Sequence, residues 1–107
     1  GESIIAGAIR ETLEETAYTF VPQAVLGIYH WHSQADDTTF IRFAFTGFVI
    51  DHDPDQALDT GIVRAGWFGI DEIRQMAYCH RSPLVMRCIE DHRAGKHYSL
   101  EILTHYD

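Results

Sequence analysis

Apolar positions along the first sixteen residues recur with the period of a helix. Ile5, Ile9 and Leu13 stand four apart, so at 100° per residue they share an arc of about 80° and form one stripe. Glu11, Glu14 and Glu15 fall within about 100° of one another on the other side. With Ser3 as N-cap, the pattern predicts a helix over residues 3–16 whose isoleucine and leucine stripe faces a core. Pro22 interrupts the next apolar run, and the chain from Val25 to His32 then reads as a strand. Ser33 to Asp37 is a polar turn, and Thr38 to Ile50 returns as a long second strand, which together predict an antiparallel hairpin. In that second strand Ile41, Phe43, Phe45 and Val49 alternate with Phe40, Arg42, Ala44 and Thr46 on the opposite face.

Periodicity then lapses. Residues 51–60 carry four aspartates and Pro54, which predicts a loop, and Ile62 to Phe68 reads as a further strand ending near Trp67. Asp71 to Met76 has the acidic first turn of a short helix. Ser82 followed by Pro83 opens a helix that runs to about Arg93 and stops at Gly95, with Leu84, Met86, Cys88 and Ile89 as its apolar surface. Residues 98–106 form an extended or irregular tail.

Composition narrows the class. At 107 residues and 46% hydrophobic, without low-complexity sequence, the chain fits one soluble globular domain over residues 1–107. No apolar run approaches the roughly 18 residues of a membrane helix, and the first residues lack the basic-then-apolar order of a signal peptide. Sixteen acidic against eight basic residues, a formal charge of −8, is the reverse of what a phosphate-tracking nucleic-acid binder needs. Cys79 and Cys88 belong to no C-x-x-C pair, which points to a reducing cytoplasm rather than a zinc site or a disulfide framework. His30 and His32 share a strand face, but no third metal ligand accompanies them in the sequence.

Charge also singles out the first helix. Carboxylates three and four apart repel, and an ordinary surface helix gains by replacing one with lysine. Three oxygen-rich side chains on one face suit a hard cation such as Mg²⁺ or Mn²⁺. A solvated acidic face is the alternative, and spacing leaves both open. Arg42, in an apolar strand, is either ion-paired on a half-exposed face or turned into a ligand cleft. Asp59, the last acid of its loop, reads on its own as a solvated loop acid.

Glu2, then seven residues, then Arg10-Glu11 and Glu14-Glu15 carry a specific spacing. It resembles the box of the Nudix hydrolase family, G-x5-E-x7-R-E-U-x-E-E-x-G-U with U aliphatic. Three positions depart: the opening glycine falls outside the chain, Thr12 replaces the aliphatic residue, and Ala17 replaces the glycine that ends the helix. Alanine with positive φ costs roughly 1 kcal/mol more than glycine, so the helix is expected to run on or to end differently. Further along, the arginine-phenylalanine strand IRFAFTGFVI, the aspartate before the tryptophan segment, and Arg81-Ser82-Pro83-Leu84-Val85 are similar to the NudJ-type phosphatase branch.

The resemblance implies an α/β/α sandwich around a mixed β-sheet, lacking its first strands in this chain. It implies hydrolysis of phosphoanhydride bonds in nucleoside di- or triphosphates, or in related diphosphates such as thiamin diphosphate, with Mg²⁺ or Mn²⁺ as cofactor. Carried over by position, Glu14 and Glu15 are metal ligands, Glu11 a ligand or the general base, and Arg10 the residue that orients them. Asp59 stands where many members bring one more carboxylate to the metals, and Arg42 where substrate crosses the sheet. Small phosphoanhydrides are the implied partners, with neither nucleic-acid polymer nor membrane. The other expectation is a non-catalytic module of the same fold that binds a nucleotide or a protein. Without its opening strands, the sheet is expected to expose an unpaired edge through which the chain aggregates or forms a homodimer.

Overall fold

The computed structural model describes the backbone of residues 1–107 and every side chain except that of Tyr78. Helix α1 spans Ile4–Thr16, strand β1 Tyr18–Ser33, strand β2 Thr38–His52, helix α2 Ile70–Gln75 and helix α3 Leu84–Arg93. Short 3₁₀ turns occupy Ala77–Cys79 and Leu100–Ile102. None of the described helices is long and apolar enough to cross a membrane.

Helix α1 starts where its cap predicts, with Ser3 Oγ accepting the Ala6 N–H at 3.0 Å. It ends at Thr16 because Ala17 itself takes the left-handed conformation, φ 63°, and donates its N–H to the Leu13 carbonyl at 2.9 Å. The expectation that alanine would displace the helix end is therefore corrected. Ala17 is buried, and the packing around its methyl group supports the strained backbone.

β1 and β2 form a two-stranded antiparallel hairpin with Tyr29 opposite Arg42 and Ser33 opposite Thr38. The strands are longer than their hydrophobic runs, and Pro22 lies inside β1 instead of ending it. It is tolerated because the register shifts between Pro22 and Ala24 and because Gly47 faces it. A Cβ on Gly47 would come within 2.9 Å of Pro22 Cα and closer still to the Val21 carbonyl oxygen. A second irregularity between Val25 and Gly27 lets the consecutive residues Val25 and Leu26 both be buried.

The core is small. Val25, Leu26, Ala17 and Leu84 are its buried apolar residues, where α1, β1 and α3 approach one another. Among the stripe residues of α1, Ile5 and Ile9 are half-buried and Leu13 is exposed, so the predicted core face is only partly covered. The hairpin offers α1 chiefly one strand, β1, and that is too narrow to bury the whole stripe. The far edge of β1 meets the tail at one place, where Val25 and Tyr98 exchange N–H···O=C bonds of 2.8 Å. Among the described residues, no strand pairs with the far edge of β2.

Residues 62–68 do not form the expected strand. Neither hairpin strand lends them an edge, and Val63 and Trp67 are 94% and 73% exposed. Trp67 is nevertheless anchored, its indole N–H donating to Tyr18 Oη at 3.0 Å with the rings edge to face. Ser82 and Pro83 open α3 as predicted, Ser82 Oγ accepting the Leu84 N–H at 3.2 Å. The α3 helix stops before Gly95, whose φ of 80° favours glycine.

Candidate active site

Arg10 sits in the middle of α1 and gathers carboxylates from both directions. Its Nε donates to both oxygens of Glu2 at 2.8 and 3.1 Å, and Nη2 adds a third bond to Glu2 at 3.0 Å. Nη1 donates to Glu14 Oε2 at 3.0 Å, while Glu11 Oε1 stands 3.7 Å from Nη2. The planar guanidinium, with five donors, is suited to such a fork. Hydrogen bonding to Arg10 holds the Glu2 carboxyl below the usual carboxylate range and pushes the arginine further up.

The three glutamates form one continuous ridge with Glu11 at its centre. Glu11 and Glu14 flank Arg10, and Glu11 and Glu15 line a cleft of about 600 Å³ whose apolar wall includes Phe20, Phe43, Phe45 and Trp67. Among the described residues no three His, Cys, Asp or Glu side chains converge on one point as ligands of a single ion. Glu14 is turned toward Arg10, which accounts for that. The donor set still fits a hard divalent cation: all the ligating atoms are carboxylate oxygens, and side chains one turn apart have Cβ atoms about 5–6 Å from each other. Rotation about side-chain bonds is enough to bring such oxygens together.

The loop after β2 folds back on the end of this helix. Asp53 N–H donates to the Ala17 carbonyl at 3.0 Å, Gln56 Nε2 to the Leu13 carbonyl at 2.7 Å, and Asp59 N–H to the Glu14 carbonyl at 2.9 Å. Helix ends leave carbonyls without partners, and α1 has no basic residue in its last turn to meet them. The loop supplies the missing donors. It also places the Asp59 backbone against that of Glu14, although its Oδ1 accepts the Thr60 N–H at 3.0 Å.

Arg42 borders a second cleft, of about 380 Å³, together with Glu2, Arg10 and Glu11. It has no ion pair within 4.0 Å among the described residues. His32 turns to Asp37 and Thr39 instead of pairing with His30 around a metal.

Sequence reasoning missed Gln56 and a buried cluster on α3. There Asp91 accepts the Tyr29 hydroxyl at 2.7 Å, Arg87 Nε at 3.1 Å, and stands 3.2 Å from Lys96 Nζ. The Tyr29 bond holds the Asp91 carboxyl below its ordinary range, and burial raises the Tyr29 phenol and the Cys88 thiol. Tyr29 lies 62 residues from Asp91, so no local pattern signals the pair.

No family model matches the chain. The Escherichia coli K12 protein named Phosphatase NudJ is 32% identical over 106 residues, spanning 99% of this chain and 68% of the relative, and the Shigella flexneri Phosphatase NudJ aligns equally well. A solved structure, the NUDIX hydrolase from Nitrosomonas europaea, superposes with a TM-score of 0.97 at 57% identity, covering 99% of this chain and 72% of that one. The chain belongs to the Nudix hydrolase family. As a Nudix hydrolase it cleaves pyrophosphate-type bonds in small phosphoanhydrides, and members of the family generally use divalent cations. Its fold is the expected α/β one, with the mixed sheet represented here by an antiparallel pair.

Proposed function

We propose that this Nudix hydrolase releases phosphate from nucleoside di- or triphosphates, or from related diphosphates such as thiamin diphosphate, using Mg²⁺ or Mn²⁺. The observation that carries the proposal is the ridge itself, since Arg10 engages Glu2 and Glu14 while Glu11 and Glu15 stay on the cleft rim. The curated relatives are named phosphatases, which supports inorganic phosphate as a product.

In this reading Glu14 and Glu15 would hold the cation, with Glu11 as a third ligand or as the base and Asp59 as the additional ligand from the loop. Divalent metal, when bound, offsets the charge of the phosphate oxygens and acidifies a water. Where Glu11 serves as the base, it would accept the proton of the attacking water as the water oxygen bonds to phosphorus, and the anhydride P–O bond would break with its electron pair leaving on the departing group. Arg10 keeps Glu14 in orientation, and Arg42, which has no ion pair among the described residues, contacts the substrate from the neighbouring cleft. A chain of charge −8 repels nucleic-acid polymers, and its two free cysteines fit a reducing cytoplasm.

Phosphate release from a panel of di- and triphosphates, with Mg²⁺, Mn²⁺ or chelator, tests the proposal. Metal-dependent release from at least one class is expected. If no compound in the panel releases phosphate under any metal condition, the proposal fails.

A further inference from the structure

We infer that Gln56 is a positioning residue for the carboxylate ridge, setting its affinity for divalent cations by fixing the loop that carries Asp59 to the end of α1. The inference rests on the metal-ligand reading above. Gln56 is half-buried, and its Nε2 donates at 2.7 Å to the Leu13 carbonyl, which already receives the Ala17 N–H. The backbone gives the loop two neighbouring attachments, Asp53 N–H to the Ala17 carbonyl and Asp59 N–H to the Glu14 carbonyl. Between them the Gln56 amide is the side-chain bond, and it reaches the residue just before Glu14.

Position gives that bond its consequence. Leu13 precedes two of the ridge glutamates, and Gln56 lies three residues before Asp59, inside one compact turn in which Gln56 N–H also bonds the Asp53 carbonyl at 3.3 Å. With the amide in place, the loop backbone that carries Asp59 is joined to the end of α1 at three points, while the Asp59 carboxylate accepts the Thr60 N–H. Without it, the loop keeps only the backbone attachments at Asp53 and Asp59, and the chain between them is free to shift the Asp59 carboxylate relative to the ridge. A preorganised ligand set binds more tightly than one that must be ordered on binding.

Mn²⁺ binding to the metal-free protein, followed by electron paramagnetic resonance, tests this without relying on turnover. Gln56→Met keeps the length and removes the donor, and Gln56→Asn keeps the amide but shortens its reach. Each should weaken Mn²⁺ about five-fold, the usual worth of one hydrogen bond. Turnover at saturating metal should stay near wild type, a split that loss of structure alone would not give. Adding Gln56→Met to Asp59→Asn should weaken binding little further, because Gln56 acts through Asp59. Wild-type Mn²⁺ affinity in both Gln56 variants, or full additivity with Asp59→Asn, overturns the inference. Glu15→Gln serves as the separating arm: if it too binds Mn²⁺ like wild type, the fault lies in the metal-ligand reading beneath.

Discussion

Glu15→Gln separates the chemistry of α1 from its stability, because the two should move in opposite directions. Glu15 makes no ion pair among those that organise the helix, is exposed, and stands one turn after Glu11. Removing its charge relieves an i, i+4 repulsion of about 0.2–0.5 kcal/mol, so the melting temperature should hold or rise by about one or two degrees. In its proposed role as a metal ligand at the cleft rim, the same carboxylate would contribute to transition-state charge balance, where such groups supply several kcal/mol. A hundred-fold or greater fall in kcat/KM, about 2.7 kcal/mol or more, is the expected cost. Differential scanning fluorimetry and initial-rate phosphate release at several Mg²⁺ concentrations read both quantities on one preparation. Turnover within a few-fold of wild type at ordinary Mg²⁺ would refute the assignment of Glu15. A melting temperature lowered by several degrees would refute the view that its side chain is irrelevant to the fold.

Ala17→Gly exchanges relief of left-handed strain, roughly 1–2 kcal/mol, for loss of a buried methyl and a looser unfolded chain of similar summed size, so denaturant midpoints should agree within about 1 kcal/mol. Gly47→Ala places a methyl against the Val21 carbonyl and Pro22, and should destabilise by about 1–3 kcal/mol in the same titration; an unchanged midpoint would mean the bulge adjusts freely. Asp91 has a folded-state pKa below its unfolded value, so its stabilisation is complete above the usual carboxylate value near 4 and is lost as pH falls through the folded value. Acid titration of Asp91→Asn by circular dichroism should therefore show a shallower decline below about pH 4 than wild type, and parallel curves would remove Asp91 from the acid transition.

Short-range order was largely legible from the sequence. The Ser3 cap, the helix to Thr16, the hairpin and the Ser82-Pro83 start of α3 all follow from patterns within a few residues. Pro22 misled because its tolerance depends on a glycine 25 positions later, facing it across the register. The Trp67 segment misled for a different reason, since β-propensity describes a fit to a pleated neighbour and this segment has none. At the candidate site, Glu2 and Glu14 lie within reach of Arg10 along one helix and its entry, and their spacing shows in the sequence. Gln56 and the Tyr29–Asp91 pair close contacts across 43 and 62 residues, and nothing local distinguishes a glutamine that caps a distant helix from one that faces water.

The three attachments of the β2–α2 connection to the end of α1 fall at Asp53, Gln56 and Asp59, a regular spacing of three residues. Their acceptors are the carbonyls of Ala17, Leu13 and Glu14, so the length of that stretch is set by where three neighbouring carbonyls at one helix end stand. One residue inserted between Asp53 and Asp59 would separate the attachments on its two sides. The stretch from Gly61 to Gly66 has no such partner on α1 and can change in length without disturbing the registration. A connection that looks uniformly irregular thus has one half fixed to α1 and another half that is not.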